Sequence, residues 1–275
     1  MNLPQLGQYT EGLGKMLADG IEIKRALQVA GECMAAPDNR RFADRLRQTL
    51  LSGEDLSEQE ISRSLPPFYL TILQCGILTG RVPQAPAAAA YYIRQVLPVR
   101  HTLRQYGRYS LAAYLVCIIT TWVFRHPPSF IVLSVLVGLF VLPRWIMALA
   151  YARDVLLAKM PFVGTWIQQV ALLEFFSCLE ICYDSTLSVA TMFESSLRAV
   201  GNLALRRQLQ QSRAAVESGA SFADALRQAK FIPRGMIADI RVNELCGKLE
   251  LSFHGFACEL RIEHEITSRF VPGLA

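Results

Sequence analysis

The sequence predicts an all-α protein in which two related helical lobes flank a transmembrane hairpin. Three observations lead to this class. A polar block with helical periodicity occurs twice, at about residues 3–106 and 161–269. Two apolar segments, 109–124 and 129–142, lie between the copies and are nearly free of charge. Almost no stretch shows the alternation of apolar and polar residues that is typical of a half-buried strand.

The duplication is recognised first from a turn that is followed by a helix start. Residues 52–56 and 218–222 each begin with Ser-Gly, and glycine suits the left-handed end of a helix. In the first copy Asp55 then takes the N-cap position, and in the second copy Ser221 does so. An acidic residue follows three positions later in both copies, where it favours the helix dipole.

The same spacing continues on both sides of this turn. The further matches are 20–23 with 186–189, Pro66 with Pro233, Gly80 with Gly247, and 75–82 with 242–249. Five matches in one order, at a nearly constant offset, are unlike chance agreement. We therefore interpret the chain as two diverged copies of one unit.

Each copy is predicted to contain six helices, bounded by glycine, proline and Asn/Asp breakers. Prolines at first turns, as at Pro66 and Pro86, are tolerated because their missing N–H would be unpaired there. The first-copy helices are predicted at 3–19, 22–35, 39–52, 56–64, 66–78 and 84–108, and the second-copy helices at 162–183, 188–200, 203–217, 222–228, 233–245 and 249–269. The predicted domains are lobe 1 (1–108), the hairpin (109–152) and lobe 2 (153–275).

Basic residues lie mainly outside the hairpin. Three arginines precede its first segment, three basic residues follow its second, and only Arg125 and His126 lie between the segments. The positive-inside rule then puts both lobes in the cytoplasm. The first segment is shorter than the twenty or so residues of a usual span, and interfacial aromatic residues would extend it. A buried core hairpin in a soluble protein is the alternative interpretation.

The seven cysteines are odd in number and have no framework spacing. In a reducing cytoplasm we expect them to be small buried hydrophobic residues. His254 and Cys258 stand one helical turn apart and have the spacing of a zinc-binding pair, although a surface histidine beside a core cysteine is the simpler interpretation. Cys178 and Cys182 form a similar pair on an apolar helix, which favours core packing.

No pattern of a P-loop, a nucleophile elbow or a zinc protease occurs in the sequence, so we predict no enzyme and no cofactor. The candidate interaction residues lie at the turns. Glu244 is an acid in an apolar-leaning element, able to bind a cation or a basic partner surface, unless it belongs to a solvated helix face. The tight turns also present flanking side chains to a partner. The remaining candidates of this kind are Lys248, Arg81, Glu54 and Asp55.

The order of these elements resembles the type II secretion system F protein family, which is related to the platform proteins of type IV pili. The resemblance covers nearly the whole chain. The motifs that carry it are Gly-Ile-Glu-Ile at 20–23, Ser-Gly-Glu-Asp-Leu at 52–56, Leu-Pro-Pro-Phe at 65–68, 76–82, 218–222, Ile-Pro at 232–233, and Asn-Glu-Leu-Cys-Gly-Lys-Leu at 243–249.

The resemblance implies a multi-pass inner-membrane platform protein with cytoplasmic six-helix lobes. Its expected partners are a cytoplasmic assembly ATPase, other inner-membrane assembly proteins and a pseudopilin or pilin. Homo-oligomers are compatible with its role as a hub. Such proteins convert the motion of the ATPase into extraction of subunits from the membrane, and they carry no catalytic residue.

Three departures from the family pattern concern specific positions. The glutamate of the Gly-Glu-x-x-Gly element is replaced by Ile77 in the first copy and is kept as Glu244 in the second. The proline of the Gly-Ile-Pro-Leu element is replaced by Glu22 and Ser188. The family pattern also implies a third span, and residues 270–275 resemble the approach to it. A membrane-bound enzyme and a degenerate paralogue without an export role are the alternative functions.

Overall fold

The computed structural model describes residues 3–34, 37–52, 65–81, 83–98, 154, 163–183 and 187–270. All regular elements in these ranges are helices, which confirms the predicted all-α class. In the first copy they are α1 (Leu3–Ala18), α2 (Ile23–Glu32), α3 (Pro37–Ser52), α4 (Pro67–Leu78) and α5 (Gln84–Tyr91), with a π-helical turn at Tyr92–Val96. In the second copy they are α6 (Val163–Tyr183), α7 (Val189–Ala199), α8 (Leu203–Glu217), α9 (Phe222–Leu226), α10 (Arg234–Leu245) and α11 (Leu249–Phe270).

These bounds agree with the predicted helices to within a few residues wherever both exist. The predicted helix at 56–64 lies outside the described residues, as do Glu54 and Asp55. The predicted helix at 84–108 is described only to residue 98, and its second half contains the π-helical turn. The hydrophobic pattern did not indicate this wider turn.

Left-handed glycines end the helices where the repeat predicted them. Gly80 has φ of 73° and Gly247 has φ of 67°, and each follows the last turn of its helix. Gly219, with φ of 83°, ends α8 in the same way. Only glycine adopts this conformation without a steric penalty from Cβ. Beyond Gly219, the Ser221 hydroxyl accepts a hydrogen bond from the backbone N of Asp224 at 3.1 Å, so the predicted N-cap is confirmed.

The two copies share one packing order. In the first copy α1 packs against α2 and α5, α2 packs against α3, and α4 packs against α5. In the second copy α6 packs against α7 and α11, α7 against α8, and α10 against α11. Each contact of the first set has its counterpart in the second, which is the pattern expected of a duplicated unit.

The copies also pack directly on each other. Helix α4 of the first copy lies against α6 and α7 of the second, and its buried face includes Phe68, Tyr69 and Ile72. The buried apolar side chains of both copies belong to one continuous cluster. The described parts of the two copies therefore form one packed helical body, and the division at residues 108 and 153 stays a prediction.

Among the described residues, no helix combines the length and the apolar character that crossing a membrane requires. The predicted hairpin at 109–152 lies outside the described residues. Its membrane placement, and with it the cytoplasmic placement of the lobes, stays a prediction.

Candidate functional site

Glu244 lies near the end of α10, where its carboxylate binds the N-terminus of α9. One oxygen accepts a hydrogen bond from the backbone N of Phe222 at 2.6 Å, and the other accepts from Ala223 at 3.2 Å. Backbone N–H groups at a helix start are unpaired within the helix, and a carboxylate there gains from the charge and from the dipole. Glu244 therefore ties α10 to α9. The matching position of the first copy holds Ile77, which packs against the core and cannot accept hydrogen bonds.

Arg81 and Lys248 occupy matching positions but have different surroundings. The Arg81 guanidinium donates to the backbone oxygen of Glu180 at 3.1 Å and lies 3.7 Å from the Glu250 carboxylate. Both partners belong to the second copy, so Arg81 joins the copies. Lys248 is exposed, and its backbone N donates to the oxygen of Asn243 at 2.7 Å, which closes the turn after α10.

Leucines precede both turns, and both are exposed. Leu78 is 60% exposed and Leu245 is 85% exposed, although most large apolar side chains of the described residues are buried. Each is followed two residues later by the left-handed glycine and three residues later by Arg81 or Lys248. We call these two segments, 78–81 and 245–248, the leucine turns.

Polar groups at the junction of the copies are paired with one another. The Glu180 carboxylate contacts His254 Nδ1 at 2.6 Å and lies 3.7 Å from the Arg261 guanidinium. On the other side, the Tyr91 hydroxyl donates to the backbone oxygen of Arg261 at 2.8 Å. Burial, followed by the charge of Glu265, raises the pKa of Tyr91 to about 12, so this hydroxyl stays protonated and donates at neutral pH.

The predicted pair of His254 and Cys258 is indeed close, with 3.7 Å between His254 Nε2 and Cys258 Sγ. With Glu180 on Nδ1, the order carboxylate, imidazole, thiol matches that of a catalytic triad. Acyl transfer also needs N–H donors for the oxyanion beside the thiol. Cys258 lies inside α11, where neighbouring backbone N–H groups serve the helix itself. The backbone N–H groups of α11 beside Cys258 are therefore engaged in the helix, and the three residues form a hydrogen-bond chain near the surface.

A buried carboxylate links three parts of the molecule. Glu174 on α6 is 1% exposed. It accepts a hydrogen bond from the Tyr92 hydroxyl at 2.6 Å and another from the backbone N of Gly201 at 2.7 Å. Tyr92 belongs to the first copy, and Gly201 lies between α7 and α8. A buried charge is tolerated only with such partners, so this contact fixes the end of α5 on the second copy.

Three cysteines meet in the core, and the sequence did not indicate this. Cys75 on α4 and Cys178 and Cys182 on α6 are at most 2% exposed. Their Sγ atoms all lie within 4.8 Å of one another, and Cys75 and Cys178 are 3.6 Å apart. Hydrogen bonds from Cys178 and then Cys182 hold the pKa of the Cys75 thiol below its usual range. Hydrogen bonds to Cys182 and Cys75, together with burial, raise the pKa of the Cys178 thiol.

The expectation that the cysteines are buried is correct for this group of three and wrong for others. Cys33 and Cys246 are exposed, and Cys258 is half-buried. Cys33 follows α2 and Cys246 follows α10, where the chain turns at the surface. Cys117 lies outside the described residues.

No protein-family model matches this chain, and no curated protein matches it either.

Proposed function

We propose that the chain is an inner-membrane platform protein of a type II secretion or type IV pilus-like assembly machine. In this role it couples a cytoplasmic ATPase to the assembly of pseudopilin or pilin subunits. The observation that carries the proposal is the duplication. Two copies of one helical unit share turn glycines, packing order and the motif order of that family. Placement of both copies in the cytoplasm, on either side of a membrane hairpin, is part of the proposal.

The leucine turns provide suitable contact points for the ATPase. Each presents an exposed leucine, and the two turns are related by the repeat. Lys248 adds an exposed cation to the second turn, whereas Arg81 of the first is paired with Glu180 and Glu250. Apolar anchors that lose their water on binding supply much of the affinity of a protein interface. Two such anchors on one body give a partner two related places to bind.

The contacts between the copies favour a role in transmitting force. Arg81, Tyr92 and the α4 face all join the first copy to the second. A partner that moved one copy would therefore move the other, because the core between them is continuous. Rigid coupling of two binding points is what a platform between an ATPase and a membrane subunit requires.

The test compares full-length variants in the native host, with the assembly ATPase as the bait. Leu78→Asp and Leu245→Asp each put a charge at an exposed leucine turn, and Ile262→Asp is the matched control on α11, with a side chain that is 60% exposed. Because these are surface changes, we expect stability to change by less than about 0.5 kcal/mol. We expect ATPase capture and secretion or piliation to fall in the leucine variants and to be retained in the control.

Two results would contradict the proposal. One is a chain that does not associate with the ATPase, together with a deletion strain that secretes or assembles pili normally. The other is equal loss of capture in all three variants, which would assign the effect to general surface charge. Neighbouring genes for an assembly ATPase and prepilin-like proteins would support the proposal, and their absence would favour a degenerate paralogue.

A membrane-bound enzyme remains the second hypothesis, but no observation favours it. The closest arrangement is the chain of Glu180, His254 and Cys258, which lacks oxyanion donors where the structure describes it. Cys258→Ala separates the two functions. It should leave secretion intact under the platform hypothesis and should abolish the activity of an enzyme that uses this thiol.

A further inference from the structure

We propose that Cys75, Cys178, Cys182 and Ser195 form a binding site for Zn²⁺ that joins the two copies inside the core. Cys75 comes from α4 of the first copy, the other two cysteines from α6, and Ser195 from α7. The metal would have a structural role, because it would hold together helices that are distant in sequence. Its binding does not depend on any secretion partner.

The sulfur geometry fits a tetrahedral zinc ion. Zn–S bonds of about 2.3 Å at tetrahedral angles separate two sulfur atoms by about 3.8 Å. Cys75 and Cys178 are 3.6 Å apart, and no pair within the group of three exceeds 4.8 Å. Small rotations of the thiols within their rotamers can therefore bring all three to one ion, without movement of the backbone.

A fourth donor lies beside the thiols. The Ser195 side chain lies beside Cys75, and we assign its oxygen as the fourth ligand. Three sulfurs and one oxygen make the four ligands that Zn²⁺ prefers, whereas Cu(I) is commonly satisfied by three sulfurs alone. With thiolate ligands the zinc site carries one negative charge.

The matching positions of the other copy hold no cysteine. In the other copy the positions of Cys178 and Cys182 are occupied by Gly12 and Met16, and the position of Cys75 is occupied by Val242. None of these offers a thiolate. The three thiols thus occur only where the copies meet, as expected of a site that serves the contact between them.

Zinc binds thiolates, so binding displaces three thiol protons to the solvent.

The test is made on the full-length chain, purified in mild detergent without chelators, with the metal content measured by mass spectrometry. We expect about one zinc per chain. Cys178→Ser and Cys75→Ala should lower this to the background, whereas Cys246→Ser, at an exposed cysteine, should leave it unchanged. After removal of zinc, Co²⁺ should bind and give the visible absorption of a tetrahedral sulfur-ligated site, which the Cys178→Ser chain should lack.

X-ray absorption at the zinc edge tests the site on the wild-type chain, so the result does not depend on whether the variants fold. Three sulfurs at about 2.3 Å and one oxygen at about 2.0 Å would support the proposal. A zinc-free chain that binds no added Zn²⁺ or Co²⁺ would overturn it, as would zinc that persists in both buried-cysteine variants. One equivalent of copper in place of zinc would overturn the assignment of the ion.

Discussion

Helices α4 and α10 occupy the same place in the two copies, yet one is buried and the other is mostly exposed. In α4 seven residues are buried, among them Ile72 and Cys75, whereas in α10 only Ile240 is. Leu73 and Ile240 are matching residues, and both are buried. The apolar residue at this shared position keeps one face of each helix buried. The residues that differ between α4 and α10 determine whether a second face of the helix is also buried.

The residues at matching positions account for the difference in burial between α4 and α10. Where α4 has Ile72 and Cys75, α10 has Asp239 and Val242, and Val242 is 59% exposed. Asp239 accepts a hydrogen bond from Ser252 at 3.2 Å at the edge of α11. Helix α4 therefore lies between the copies, and we call it the wedge. Its counterpart α10 lies at the surface of the second copy, and we call it the outer wall. The predictions below test this contrast, starting with the largest effect.

The contrast predicts unequal costs for the same charge in the two helices. Ile72→Asp puts an unpaired carboxylate on the buried face of α4, and we expect a loss of more than about 4 kcal/mol of unfolding free energy. Val242→Asp on the outer wall should change it by less than about 0.5 kcal/mol. Chemical denaturation of both full-length variants measures this. Similar losses in the two would mean that α10 is covered as α4 is.

The buried hydrogen bond at the end of α5 has a matched control in the neighbouring tyrosine. Tyr92→Phe removes the hydroxyl donor to the buried Glu174 carboxylate, and we expect a loss of about 1–3 kcal/mol. Tyr91→Phe removes a half-buried hydrogen bond to a backbone oxygen, and about 0.5–1.5 kcal/mol is expected. Denaturation midpoints of the two variants give the ranking. The reverse order would show that Glu174 keeps enough partners without Tyr92.

Close approach of α4 to α5 predicts a further difference between the copies. A Cβ at Gly76 would collide with Cβ of Ala85, whereas a Cβ at Gly235 of α10 would meet no atom within 4 Å. Gly76→Ala should therefore destabilise by about 1–3 kcal/mol, less the gain of up to about 1 kcal/mol in helix propensity. Gly235→Ala should be neutral or stabilising. Thermal denaturation measures both, and a neutral Gly76→Ala would show that the helices can separate.

The smallest predicted effect is a dependence of stability on pH. His264 on α11 is 1% exposed, lies beside Trp166, and has no hydrogen-bond partner on either nitrogen among the described residues. Burial lowers its pKa below 6.5. As the pH falls through 6.5, the unfolded state takes up a proton that the folded state refuses, so stability falls.

Denaturation midpoints between pH 7.5 and about 5 measure this slope. His264→Leu should reduce the slope, because the titrating group is gone. Ile262→Ala, an exposed change on the same helix, should keep it. A slope that is identical in all three chains would assign the pH dependence to other groups.

The sequence predicted the helices and turns because their causes are local. The structure confirms the left-handed glycines at 80 and 247, the serine cap at 221 and the prolines at the starts of α4 and α10. Each of these residues acts on its own neighbours in the chain. The sequence left the role of Glu244 open. Its carboxylate binds the start of α9, 22 residues earlier in the chain. The matching residue of the first copy, Ile77, cannot make this hydrogen bond.

The contacts between the copies could not be predicted, because they depend on how two bodies meet. Cys75 and Cys178 are 103 residues apart, and no spacing rule connects them. Arg81 and Lys248 have equivalent sequence contexts, yet the structure shows a contact with the other copy for Arg81 and none for Lys248 among the described residues. The pairing of Tyr92 with Glu174 is of the same kind: both are ordinary residues of apolar helices until the helices are placed together.

The wedge formed by α4 has a consequence for synthesis of the chain. Its apolar face is complete as soon as the first copy has left the ribosome, but its covering helices α6 and α7 begin only at residue 163. At about 5–20 residues per second, the 103 residues between Cys75 and Cys178 correspond to about 5–20 s during which that face is open. We expect the nascent first copy to need shielding in this interval. Chaperone crosslinking to chains arrested before and after α7 would measure the need, and equal crosslinking in both would argue against it.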